Sequence, residues 1–104
     1  MSNDKNVLVL GRERHLVDAS TDIIEAGGFN AVGVTRDEEA LSLLDTGRFI
    51  AVLVGSGVEW ESRPPVREHA AAHDTVVLEA RRIPMQTVQD HVRDVIVPRL
   101  RQIA

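Results

Sequence analysis

The amino-acid sequence predicts an α/β fold in three layers: a mostly parallel sheet of four strands, with a fifth left open, covered by helices on both faces. Three observations carry this expectation. The runs Val7-Leu8-Val9-Leu10 and Phe49-Ile50-Ala51-Val52-Leu53-Val54 are apolar at successive positions, the pattern of strands buried on both sides. Between and after them, apolar residues recur at helical spacing, so strand and helix alternate along the chain. Each strand-helix-strand passage also has the length that a right-handed crossover needs.

A chain of 104 residues predicts one domain, residues 1–104, with a core of its own. The only aromatics are Phe29, Phe49 and Trp60, so that core must be aliphatic. The chain has no cysteine, which excludes disulfides and thiolate metal sites. A formal net charge of -4 argues against a general nucleic-acid partner. No apolar run approaches the roughly 20 residues of a membrane span, and Met-Ser-Asn-Asp-Lys does not open a signal peptide. The expected compartment is the cytoplasm, with no membrane partner.

The first strand ends at Gly11 and a charged turn, Arg12-Glu13-Arg14. Leu16, Val17, Ser20, Ile23, Ile24 and Gly27 then mark one face of a helix that Gly27-Gly28 stops. Phe29 to Thr35 is a second strand, weakened by Gly33 and therefore placed near the sheet edge. Thr35-Arg36-Asp37-Glu38 has the form of a capping box, opening a helix that turns Ala40, Leu41 and Leu44 inward and ends at Gly47. The run Phe49 to Val54 is the third strand, followed by Gly55-Ser56-Gly57. Pro64-Pro65 suits the start of a short helix from Val66 to about His73, and Thr75 to Ala80 is the fourth strand.

The last segment has two parses. Met85, Val88, Val92, Val95, Ile96, Leu100 and Ile103 keep a helical period to the end of the chain. Pro98 opposes it by removing a backbone donor and crowding the carbonyl of Asp94, so the helix must kink there. The other parse makes Asp94 to Val97 a fifth strand but abandons Leu100 and Ile103. The kinked helix is the expectation.

The strand Val7 to Leu10, the charged turn, a helix ending at Gly-Gly-Phe, a helix containing Glu-Ala-Leu and closing at Thr-Gly, and the strand Phe49 to Val54 together resemble the receiver domain of two-component response regulators. The likeness runs from about Lys5 to Ala80. It implies a flavodoxin-like sheet of order 2-1-3-4 and a role in signalling. It also implies an acidic pair after the first strand for Mg²⁺ and a phospho-accepting aspartate after the third. This chain has Gly11, Arg12 and Gly55 at those places, and Glu79 where a receiver has a hydroxyl. An arginine offers no lone pair to Mg²⁺, and without the aspartate there is no phosphoryl acceptor. The pattern is that of a shortened, degenerate receiver.

The expected function follows from that loss: a phosphorylation-independent interaction module, not an enzyme, with no metal and no cofactor, whose partner is a protein. The terminal stripe Val92, Val95, Ile96, Leu100 and Ile103 is the candidate interface, with a second copy of the chain as its partner in a homodimer. The alternative is a sensor of a small molecule or anion. Arg12 and Arg14 follow the first strand, Arg36 the second, and Arg81 and Arg82 the fourth; with Ser56 and Gly57 they are the candidate anion-binding residues at the carboxyl edge of the sheet.

Overall fold

Alternation along the strands sorts the buried side chains into two separate cores. In β1 (Asn6–Leu10), Val7 and Val9 turn to one face of the sheet and Leu8 and Leu10 to the other; in β3 (Ala51–Val54), Ala51 and Leu53 separate from Val52 and Val54 in the same way. The first face is covered by α1 (Arg14–Ala26) and the C-terminal helical segment, through Val17, Ile24, Val92, Ile96, Val97 and Leu100. The second is covered by α2 (Asp37–Leu44) and α3 (Arg63–Ala71), through Ala40, Leu44, Val66 and Ala70. The computed structural model describes residues 5–81 and 84–104.

With β2 (Asn30–Val34) and β4 (Val76–Glu79), the sheet has four strands, all pairings parallel, in the order β2-β1-β3-β4. This is the predicted architecture. Gly33 of β2 is opposite Val9 and lies directly under α1, where an added Cβ would come within 2.4 Å of Val17 Cγ1. A larger residue would push the helix off the sheet. At the end of α1, Gly28 takes a φ of +99°, which a side chain would oppose, so the helix stops there.

Several boundaries differ from the sequence expectation. The capping box at Thr35 does not form: the N-cap of α2 is Arg36, one residue later, with no side-chain cap bond, and Glu38 pairs with Arg36 at 3.5 Å instead of returning to Thr35. α3 begins three residues before Val66, behind a 3-10 turn (Trp60–Ser62), since prolines in the first helical turn forfeit no intrahelical bond.

The C-terminal segment is helical, not a fifth strand, and starts at Val88 instead of Met85. Met85 has a φ of +69° and is fully exposed. Thr87 caps the start, its hydroxyl accepting from the Asp90 N–H. Helix α4 (Val88–His91) runs through a π-helical turn (Val92–Ile96) into α5 (Val97–Ile103). The Val97 N–H reaches back to the Val92 carbonyl, and the widened turn relieves the crowding that Pro98 imposes one turn earlier. The extra residue also rotates the apolar face. Val97, outside the expected stripe, is buried against Gly27, whereas Val95 and Ile103 are 36% and 40% exposed.

That rotation corrects the expected interface. Val92, Ile96 and Leu100 belong to the core under the sheet and form no projecting strip; of the five candidate positions, only Val95 and Ile103 reach the surface.

Candidate functional site

Strand order reverses between β1 and β3, so the loops after them diverge and leave a crevice at their carboxyl ends. Gly11 and Gly55 form its floor. The Gly11 N–H donates to the Val34 carbonyl at 3.1 Å, and the Gly55 N–H to the Leu10 carbonyl at 2.8 Å. A Cβ at Gly11 would lie 2.8 Å from Val17 Cγ2, and one at Gly55 3.3 Å from the Leu10 oxygen and 3.5 Å from the Gly11 Cα. The glycines are thus bound to close approach of backbone and helix. The crevice widens into a cleft of about 760 Å³ between α1, the carboxyl ends of the central strands and α4. Ser56, Gly57, Arg81, Thr87 and His91 contribute its polar lining. His91 is 6% exposed, with Nδ1 3.3 Å from the Gln86 amide oxygen.

Arg12 lies at one side of this cleft and is fully engaged. Its Nε donates to Glu59 at 2.9 Å, Nη1 to the Thr35 carbonyl at 2.8 Å, and Nη2 to Asp37 at 2.7 Å and to the Ser62 hydroxyl at 3.2 Å. Ser62 in turn donates to the second Asp37 oxygen at 2.6 Å. One guanidinium therefore ties the β1–α1 loop to the start of α2 and to the 3-10 turn. The Ser62 hydroxyl and Arg12 hold the Asp37 carboxyl below its ordinary range, Arg12 does the same for Glu59, and both carboxylates raise Arg12 in turn.

A second arginine repeats this arrangement and was not legible as a site residue. Arg63, 8% exposed, donates through Nε and Nη2 to the Val58 carbonyl, both at 3.1 Å, and through Nη1 to Glu79 at 2.9 Å. Arg67 adds a bond to the same Glu79 oxygen at 3.0 Å. Arg63, then Arg67, lower the Glu79 pKa. The Trp60 ring lies over the Arg63 guanidinium at 4.7 Å. A deeply buried arginine carries no sequence signal beyond its place behind a Gly-rich turn.

The arginine-rich edge does not converge as expected. Arg12 and Arg81 line the cleft with Ser56 and Gly57, but Arg14 turns to the Gly33 carbonyl at 3.2 Å and Arg36 stays in solvent, 3.5 Å from Glu38. Arg82 lies outside the described residues. Positions that follow successive strands share an edge, but their side chains go to whichever carboxylate or carbonyl is nearest.

These carboxylates make stability depend on pH. Because their folded-state pKa values are depressed, the stability they contribute is present above the unfolded-state value, near 4, and is lost as pH falls through the folded values. Replacing Arg12 by glutamine is expected to cost about 1–2 kcal/mol at neutral pH through its bonds to Asp37, Ser62 and Thr35, discounted for partial solvent screening. Urea melts at pH 7 and pH 3 check this, the difference between variant and parent shrinking at the lower pH.

No family model matches the chain, and no curated protein matches it significantly. Among solved structures, the solution NMR structure of a de novo designed Rossmann 2x3 fold protein superposes with a TM-score of 0.72, covering 94% of this chain and 90% of its own at 14% identity. The chain has a Rossmann-like α/β fold. At that identity the likeness extends to the fold alone, which hosts many unrelated activities. Among the described residues, no helix is long and apolar enough to cross a membrane.

Proposed function

We propose that the chain is a phosphorylation-independent, receiver-like regulatory module that acts by binding a protein partner. The observation that carries this reading is Arg12. A receiver needs carboxylates at the end of the first strand to hold Mg²⁺; here a guanidinium is fixed at that place by hydrogen bonds to Glu59, Thr35, Asp37 and Ser62, and the neighbouring carboxylates Asp37 and Glu59 are committed to it. A divalent cation brought there would meet a positive charge and compete with Arg12 for both. The acceptor position is Gly55, where the Leu10 carbonyl leaves little room for a side chain. Ser56 alongside offers only a weak nucleophile.

Incubation with acetyl phosphate and Mg²⁺ is expected to leave the intact mass unchanged. A stoichiometric phosphoryl adduct that chelator abolishes overturns the reading. The alternative, a sensor of small molecules or anions, draws its support from Arg81, Ser56 and Gly57 in a cleft whose volume is in the range of ligand sites. Melting the protein with phosphate and nucleotides separates the two readings, since a ligand of the folded state raises the transition.

A further inference from the structure

β4 ends the sheet on one side, and its outer edge is built differently from that of β2 at the other. The Val76 N–H donates to the Ile50 carbonyl and the Ala80 N–H to the Val54 carbonyl, both at 2.9 Å. In a parallel ladder, alternate residues face the same neighbour, so the N–H and C=O groups of Val77 and Glu79 point away from β3. On β2 the corresponding outward carbonyl, that of Gly33, is blocked by Arg14 at 3.2 Å. Beside β4 there is instead a groove of about 870 Å³, with Trp60 and Arg63 on one wall and Val95, Ile96 and Arg99 on the other. Among the described residues no further strand pairs with this edge, and an open strand edge between two walls is the geometry that admits one.

The walls are apolar and cationic together. Trp60 is 73% exposed and Val95 36%. Arg63, Arg81 and Arg99 line the groove against one carboxylate, Glu79, which Arg63 and Arg67 already hold. Arg81 and Arg99 form no ion pair among the described residues. The groove is thus locally positive on a chain whose net charge is -4. A second copy paired edge to edge about a two-fold axis would bring both sets of arginines together, which like-charge repulsion disfavours.

We propose that the open edge of β4 binds an extended acidic peptide, which adds as a fifth strand and alternates carboxylate with aliphatic side chains. Its backbone pairs with Val77 and Glu79; its aliphatic side chains, all on one face of the added strand, cover Trp60, and its carboxylates, on the other face, meet Arg99 and Arg81. The proposal rests on the interaction-module reading and names the surface and partner class for it.

Trp60, the single tryptophan, reports occupancy without a label. The probe is a terminally blocked seven-residue peptide alternating glutamate or aspartate with valine, titrated into the full chain. A saturable change in Trp60 emission is expected, weakened at least tenfold by Arg81→Glu with Arg99→Glu and less by the two glutamine variants, all with unchanged circular dichroism. N-methylation of alternate peptide amides in one frame is expected to weaken binding at least tenfold, and in the other frame to leave it unchanged. Equal binding by a lysine-valine peptide or a single-stranded oligonucleotide, tolerance of N-methylation in both frames, or calorimetric binding that leaves Trp60 emission unmoved overturns the proposal. So does light scattering that shows a dimer with altered Trp60 emission in the absence of peptide. Absence of binding with no phosphoryl adduct removes the docking proposal alone, whereas an adduct removes the reading beneath it.

Discussion

Leu100→Glu is expected to leave the chain unfolded at room temperature, while Ile103→Glu three residues later changes stability by no more than about 0.5 kcal/mol. Leu100 has no exposed surface and packs in the core formed by β1, α1 and β3. A carboxylate there must be buried without a partner or protonated at the expense of folding, and either cost takes a large share of the about 5–15 kcal/mol that holds a domain of this size together. Truncation to alanine isolates the packing component, at about 2–5 kcal/mol from lost burial and the residual cavity. Ile103 is 40% exposed and tolerates the charge. Urea denaturation of the three variants measures this ordering. Equal, small effects at Leu100 and Ile103 would mean that the terminal helix is an appendage and that Val92, Ile96 and Leu100 are open to a partner after all.

Gly33→Val is expected to destabilise the protein by about 3 kcal/mol, the upper end of what overpacking costs, and Gly33→Ala by about 1–3 kcal/mol. The added Cβ would sit 2.4 Å from Val17 Cγ1 and 3.1 Å from Thr21 Cγ2. Val17 is β-branched and 2% exposed, so it has no alternative rotamer into open space, and relief requires α1 to lift from the sheet. Since α1 also walls the cleft, its movement would be felt there. Gly57 is the control: nothing lies within 4 Å of a Cβ at that position, and Gly57→Ala should fall within about 0.5 kcal/mol of the parent. Thermal melts of Gly33→Ala, Gly33→Val and Gly57→Ala give the comparison; a Gly33→Val transition that coincides with that of Gly57→Ala would contradict the close approach of α1 to β2.

By itself, the amino-acid sequence determined the scaffold and which residues stand at the ends of its first and third strands. Continuous apolar runs such as Val7 to Leu10 force a strand to be buried on both faces, and the alternation within them specifies two cores before any helix is placed. That Gly11, Arg12 and Gly55 themselves carry no carboxylate is as plain in the sequence as in the structure, because the identity of a residue needs no partner to be recognised. Tertiary structure alone decided where the charged groups went. Arg12 finds Glu59 across two intervening strands and two helices, and Arg63 finds Glu79 on the strand that follows its own helix; such pairs depend on distances no local pattern encodes. The same holds for the end of the chain. A period of 3.6 residues identifies a helix, but the π turn before Pro98 shifts which residues face inward, exchanging Val97 for Val95. The capping box at Thr35 did not form: α2 starts one residue later, at the N-cap Arg36, whose side chain pairs with Glu38, while Arg12 from another loop holds the Thr35 carbonyl and Asp37.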